Sequence, residues 1–322
     1  MRLLHQTHID FMAKRRTMYM VSAAVILMGL ISLFTKGLHF GIDFTGGTEL
    51  VVQFTRTPDV AQIRDMMNRS GFSGSEIKTF GDDTRVLIRT QEQGEGTVIG
   101  DRIKDGLRTS FESLQPEVLE EQKIGPKIGA ELRKDAVYAI IFSLVAIGLY
   151  IAFRFKFIYG VGAIAALFHD VLVTLGVVSL VDGLTPLTNF EIDQNMIAAL
   201  LTLVGLSVND TVVIFDRLRE NQKRYRTMNI GEIINLSLNE TLSRTIITSG
   251  TIFIVTVILY LLGGEVNRGF GFTLTIGIIT GTYSSIYIGS AIVLDYTLRK
   301  LPKTPETQQT HRPRHEPVKQ GS

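Results

Sequence analysis

The sequence predicts a polytopic α-helical membrane protein with six transmembrane helices and one small α+β domain set between the first helix and the second. Three observations predict it. Long apolar runs recur along the chain, one polar block (36–135) separates the first run from the rest, and Lys and Arg gather in alternate links. With 45% hydrophobic residues divided so unevenly, the chain does not read as a single large soluble core. Cysteine is absent, which excludes a disulfide framework, a thiolate nucleophile and a Cys-based metal site.

The first apolar run (18–34) follows Lys14, Arg15 and Arg16, the charge order of a signal peptide. It is long for a signal core, and Thr35, Lys36, Gly37 and Leu38 supply no small-x-small cleavage pattern, so a retained membrane helix is expected. Five more spans are expected at 136–153, 158–181, 195–215, 245–262 and 271–294. Arg154 and Lys156 join the second span to the third. Arg217, Arg219, Lys223, Arg224 and Arg226 follow the fourth, and Arg299, Lys300 and Lys303 follow the sixth. The intervening links carry Asp182, Glu191 and Asp193, or only Glu265 and Arg268. The basic links all fall on one side, which predicts that both termini are cytoplasmic.

The polar block alternates between strand and helix patterns. Residues 48–55 and 117–123 read as strands, and 75–80 and 84–90 as two more around a Gly81-Asp82-Asp83 turn. Val60, Ile63, Met66 and Met67 share one face of a helix over 58–69; Ile99, Ile103, Leu107 and Phe111 do so over 98–111. The order βαββαβ is the ferredoxin-like arrangement, which serves too many purposes to imply a chemistry. Ile230, Ile233, Ile234 and Leu238 suggest a short helix along the membrane surface. The expected organisation is therefore a cytoplasmic N-terminus (1–16), transmembrane helix 1 (17–35), an extracytoplasmic α+β domain (36–135), a five-helix membrane bundle (136–298) and a disordered cytoplasmic tail (299–322).

Asp210 is the first functional candidate. It lies about six residues inside the charged end of the fourth span, roughly 9 Å below the membrane surface. An acid there is costly unless paired, hydrated or protonated, and usually faces an ion or substrate path. The bland alternative is a protonated side chain hydrogen-bonded to the next helix. Ser207 and Asn209 extend its polar edge. Arg244 opens the fifth span with Thr248 and Thr251 on the same face, so it either pairs with Asp210 or snorkels to the interface. His169 and Asp170 lie near the middle of the third span but point about 100° apart, so they would not chelate one metal together. A structural hydrogen bond and a relay role are both open for them. Gly277, Gly281, Ser285 and Gly289 repeat at four-residue spacing, a ridge for close helix packing on an unspecified partner. There is no P-loop and no H-E-x-x-H pair, so ATP hydrolysis and metalloprotease chemistry are unsupported; no cofactor and no metal are expected.

Five segments together resemble the SecD/SecF family of protein-export subunits: GIDFTGG (41–47), IGPKIGAEL (124–132), ALFHD (166–170), GLSVNDTVVIFDRLREN (205–221) and SRTIITSG (243–250). The N-D-T form of the fourth motif and the single small outer domain are closer to SecF than to SecD. The resemblance implies a non-enzymatic accessory subunit of the RND-type superfamily in the bacterial inner membrane. Its partners would be a SecD-like subunit, the SecYEG channel, the translocating preprotein and membrane lipid, with no nucleic acid. The family is thought to use proton flow to promote late preprotein translocation. On that resemblance Asp210, Arg244 and Thr248 match the proton-pathway positions, and Asp43, Gly46 and Gly47 belong to the signature loop; the residue pattern adds Asn209 to the expected relay, with His169 and Asp170 in a second tier. Two rival classes remain: an RND-type exporter of lipid or small molecules, and a scaffold of the channel that uses no energy.

Overall fold

The computed structural model describes residues 7–300, apart from 93, 95, 96, 156, 186, 187 and 189. Lys156 and the tail expected to be disordered beyond Lys300 thus lie outside the described residues. Among the described residues, six helices are long and apolar enough to cross a membrane: Met12–Thr35, Pro126–Arg154, Phe157–Val181, Gln194–Arg224, Ile230–Leu262 and Val266–Lys300. They follow the six predicted runs in order, and the helical membrane class with a small sheet domain is borne out.

The first helix, α1 (Arg15–Thr35), buries Ser22, Gly29 and Ser32 and exposes Met20, Leu27, Met28, Ile31 and Phe34. Its buried stripe is small because it lies against α6 (Phe157–Val181). A Cβ added at Gly29 would sit 2.7 Å from the Gly176 backbone, and Ser32 Oγ meets Ser179 Oγ at 2.8 Å. The large apolar side chains turned outward suit an acyl-chain environment. A short α2 (Ile42–Thr45) leads into the sheet domain.

That domain consists of β1 (Gly47–Gln53), α3 (Val60–Arg69), β2 (Glu76–Phe80), β3 (Asp82–Thr90), α4 (Val98–Ser110) and β4 (Glu117–Ile124). The strand order is β2-β3-β1-β4 with every pairing antiparallel, which is the predicted βαββαβ topology. Alternation along β1 sends Leu50 and Val52 into a core with Ile63, Met67, Ile88, Ile103 and Leu107, between sheet and helices. Glu49 and Arg89 lie on the opposite face, which lines a cleft shared with residues of the link after α6.

The remaining helices are α5 (Pro126–Arg154), α7 (Gln194–Arg224), α8 (Ile230–Leu262), α9 (Gly264–Ser284) and α10 (Ser290–Lys300), the last two joined by a π-helical turn, Ser285–Gly289. One sequence expectation changes here. The surface helix around Ile230 is the start of α8, continuous with the span. No Gly or Pro interrupts 232–249, and Ile233, Ile234 and Leu238 are buried against Phe11, Met12, Phe215 and Leu218 rather than lying on lipid. The four-residue ridge finds its partners within this chain, on α6 and α7. The π turn adds a residue to the helix at its position. Gly277 meets α7 at Leu203, Gly281 meets α7 at Ser207 and α6 at Asp170, and Gly289 meets α6 at Gly162 and Ala166 and α7 at Phe215. Ser285 hydrogen-bonds Thr211 of α7 at 2.9 Å.

Candidate functional site

Helix α7 is capped by Asp193, whose Oδ1 accepts from the Met196 amide at 2.7 Å, and carries Asp210 about four and a half turns later. Asp210 is 7% exposed, on the face that also buries Leu203, Ser207 and Ile214. Its Oδ2 accepts a hydrogen bond from Ser249 Oγ of α8 at 2.8 Å. A crevice of about 20 Å³ opens beside it, lined by Asn209, Ser207, Thr248, Ser249 and Thr282. That is room for about one water, with polar groups on three helices to hold it.

Of the two places open to Arg244, beside Asp210 or at the interface, it does not take the first. It is exposed and makes no ion pair with Asp210. Ser249 lies five residues further along α8, about 7.5 Å of helical rise, and it is at Asp210's level. Thr248 lines the crevice, and its carbonyl accepts from Thr251 Oγ1 at 2.8 Å. Asn209 is exposed at the crevice edge.

His169 and Asp170 are both buried, and despite their neighbouring positions their side chains meet: Nδ1 lies 3.1 Å from Oδ1. Asp170 Oδ2 accepts from Ser207 Oγ of α7 at 2.6 Å and from Ser284 Oγ of α9 at 2.9 Å. Asp170 therefore reaches Ser207, one turn before Asp210, rather than Asp210 itself.

The signature loop is a junction. Asp43 accepts from the Gln194 amide at 2.9 Å and from Gln122 Nε2 at 3.2 Å, which ties the loop to the start of α7 and to β4. Gly46 and Gly47 have φ of +74° and +137°, a region that glycine alone enters without strain. Each also sits against backbone: an added Cβ would lie 2.9 Å from Pro126 Cα at Gly46 and 2.5 Å from the Thr90 carbonyl oxygen at Gly47.

Sequence reasoning missed the ion cluster beneath the sheet. Glu191, in the link between α6 and α7, binds Arg89 at 2.6 Å and also Lys78; Arg89 binds Glu49 as well. These groups line a cleft of about 480 Å³ that also includes Asp43, Asp193 and Gln194. Burial opposes the ionised form of Glu191, but the Arg89 hydrogen bond and the Lys78 charge outweigh it and hold its carboxyl below the usual range. The four charges come from positions far apart in sequence, each of which reads there as an ordinary surface charge. Ser249 had a weak signal, lying within the SRTIITSG segment.

Asp193 is pushed up to about 6, chiefly by burial, with the Met196 amide opposing it and the charges of Asp43 and Glu191 adding to it. A carboxyl raised on folding gives stability that is complete below its ordinary value and lost as pH rises through about 6. Asp193→Asn retains a good cap and loses the buried charge. It should be about 1–2 kcal/mol more stable than the parent at high pH and no more stable near pH 4. Thermal unfolding of the purified chain against pH checks this, and an equal difference at every pH would refute it. Among the described residues, no group of three or more His, Cys, Asp or Glu side chains is placed to hold a metal ion.

Residues 102–299 match the family described as protein export membrane protein SecD/SecF, C-terminal, and residues 31–58 match the SecD/SecF GG motif. The chain is 44% identical over 299 residues to the protein translocase subunit SecF of Rhodothermus marinus, covering 93% of this chain and 96% of that one. With the SecF subunit of Desulfurispirillum indicum the identity is 42% over 313 residues, covering 93% and 97%. The crystal structure of SecDF, a translocon-associated membrane protein from Thermus thermophilus, matches with a TM-score of 0.80 at 36% identity. That match covers 91% of this chain but 39% of the longer one. A SecDF structure in a super-membrane-facing form matches at 0.65, again at 36% identity, covering 92% and 40%.

Proposed function

Because the chain belongs to the SecF branch of the SecD/SecF protein-export membrane protein family, with an accessory role in Sec protein export, we propose that it couples proton flow to late preprotein movement through SecYEG. The observation that carries this reading is Asp210, an acid turned into the helix bundle toward the Ser249 hydroxyl and a crevice for about one water. Moving one charge through 100 mV is worth roughly 2.3 kcal/mol, enough to bias a conformational cycle.

In this scheme Asp210 exchanges a proton through the crevice, with Thr248 and Asn209 at its rim. Ser249 stabilises one arrangement. Arg244 supplies the counter-charge in another, reached when α8 slides relative to α7. A change in the Asp210–Arg244 separation alters proton affinity, and entry from opposite sides then drives the cycle. The unequal matches to two SecDF forms at the same sequence identity support more than one arrangement for chains of this kind.

The domain division and sidedness follow the charge distribution. Both termini and the basic links are cytoplasmic in the bacterial inner membrane, and residues 36–135 lie on the other face, where the sheet domain acts on the emerging preprotein. The partner is a SecD-type subunit, since the solved SecDF chains are more than twice the length matched here. The protein performs no enzymatic reaction of its own.

A late-translocation assay with the chain and its SecD-type partner reconstituted in proteoliposomes tests the reading. An imposed proton gradient should stimulate preprotein release, and a sodium gradient of equal size should not. Stimulation by sodium alone would overturn the proton assignment. Indifference to both gradients would favour a scaffold.

A further inference from the structure

The hydrogen bonds around His169 and Asp170 form one chain across four helices. Asp170 accepts from Ser207 and Ser284; its Oδ1 faces His169 Nδ1; His169 Nε2 lies 3.0 Å from Ser22 Oγ of α1. Ser22 Oγ lies 3.0 Å from the Tyr283 hydroxyl, which is 2.7 Å from the Met18 carbonyl. The last link sets the direction of the others. A carbonyl only accepts, so Tyr283 donates to Met18, and its single proton is used. Ser22 must then donate to Tyr283, and its oxygen accepts from His169, so Nε2 carries a hydrogen.

Nδ1 and Oδ1 are left facing each other at 3.1 Å. If both were bare, the imidazole lone pair would oppose a carboxylate oxygen in a buried site, with neither of the two facing atoms satisfied. One proton therefore lies between them, as imidazolium with carboxylate or imidazole with carboxylic acid. Either form is neutral overall, the state that deep burial favours. The other titratable groups near the pair are Tyr283 from α9 and, beyond Ser207, Asp210 from α7. From α1 the cluster receives only the Ser22 hydroxyl and the Met18 carbonyl, and no Lys or Arg bonds to it among the described residues.

We infer that the His169–Asp170 pair is a second proton-holding station, in communication with Asp210 through the Ser207 hydroxyl. This rests on the reading of Asp210 given above. Ser207 is shared between the two sites: it donates to Asp170 and lines the crevice beside Asp210. Gly281 makes that arrangement possible. A Cβ there would lie 3.2 Å from Ser207 Cβ and 3.6 Å from Asp170 Oδ2, so its absence lets α9 bring Ser284 onto the same carboxyl. In the transfer, the Asp210 proton passes through a crevice water to Ser207 Oγ as Ser207 gives its own proton to Asp170. Serine stays neutral, Asp210 becomes a carboxylate, and the pair carries one positive charge. At the other end the chain stops on a carbonyl, so the station exchanges protons only with the crevice.

Infrared difference spectroscopy of the full chain with its SecD-type partner in proteoliposomes, stepped between about pH 8 and 5, reads protonated carboxyls without relying on export. One carboxyl signal should vanish in Asp210→Asn and another in Asp170→Asn. His169→Gln, which keeps the acid but removes the shared proton, should move the second signal. In Asp210→Asn the midpoint of the Asp170 signal should move by about one pH unit, a tenfold change in proton affinity. Ser207→Ala should abolish that dependence while both acids remain. An Asp170 carboxyl that does not titrate, or one whose midpoint ignores both Asp210 and Ser207, overturns the inference. Full export by Asp210→Asn would instead sink the coupling scheme, whatever the Asp170 signal does.

Discussion

Asp210→Asn should abolish gradient-driven stimulation of translocation and leave insertion and folding nearly intact. The amide oxygen can still accept from Ser249 Oγ, so the 2.8 Å link between α7 and α8 is retained. Asparagine is almost the same size, so the packing around a 7% exposed position changes little. What disappears is the ability to gain and lose a proton. Stability should therefore shift by no more than about 1 kcal/mol, whereas gradient-dependent stimulation should fall to the level seen without a gradient. Ser249→Ala provides the graded comparison. It removes one hydroxyl donor worth about 1 kcal/mol, so the pH dependence of stimulation should move while stimulation itself persists. Two parallel measurements decide the matter: preprotein release in proteoliposomes with and without a proton gradient, and thermal stability of the purified variants. Undiminished stimulation in Asp210→Asn would remove this residue from the mechanism. Equal losses of stability and stimulation would reduce it to a structural hydrogen bond.

Gly47→Ala should be the most damaging single methyl group outside the bundle. Gly47 begins β1 at φ +137°, where an L side chain is strained by about 1–3 kcal/mol. The new Cβ would also lie 2.5 Å from the carbonyl oxygen of Thr90, which pairs with the next residue, Thr48, across the β1–β3 ladder, and backbone cannot move aside as a flexible side chain can. Together these should exceed about 3 kcal/mol and detach the start of β1 from the end of β3. Gly125→Ala is the control at the same junction. Gly125 has ordinary backbone angles and open space, so only its weaker capping tendency is at stake, at most about 1 kcal/mol. Limited proteolysis of membranes carrying each variant should show cleavage near Thr90 in Gly47→Ala and not in Gly125→Ala. Equal resistance in both would mean that the junction tolerates the added methyl.

The fold was legible because both of its parts carry strong periodic signals. Runs of about 20 apolar residues admit few readings besides spans, and the helix and strand periods within the polar block gave the βαββαβ order to within a few residues. The Asp210 site was half legible. An acid deep in an apolar run is conspicuous by its cost, and the five motif segments gave its family. Its partner was not legible, because Arg244 and Ser249 stand on one helix and differ mainly in axial height. Glu191, Lys78 and Arg89 were invisible as a group, since each is unremarkable until the sheet is laid over the link between α6 and α7.

The sequence by itself determined which segments cross the membrane, how the inserted domain is wound and which acid lies in the bundle. Composition and period are properties of a segment and survive without knowledge of its neighbours. Tertiary structure alone decided that Ser249 rather than Arg244 meets Asp210, that the small-residue ridge packs on α6 and α7, and that His169 and Asp170 close one hydrogen-bond chain from α1 to α9. Those outcomes depend on the rotation and axial offset of one helix against another. These are set by the packing of several helices at once, and no single helix's sequence records them.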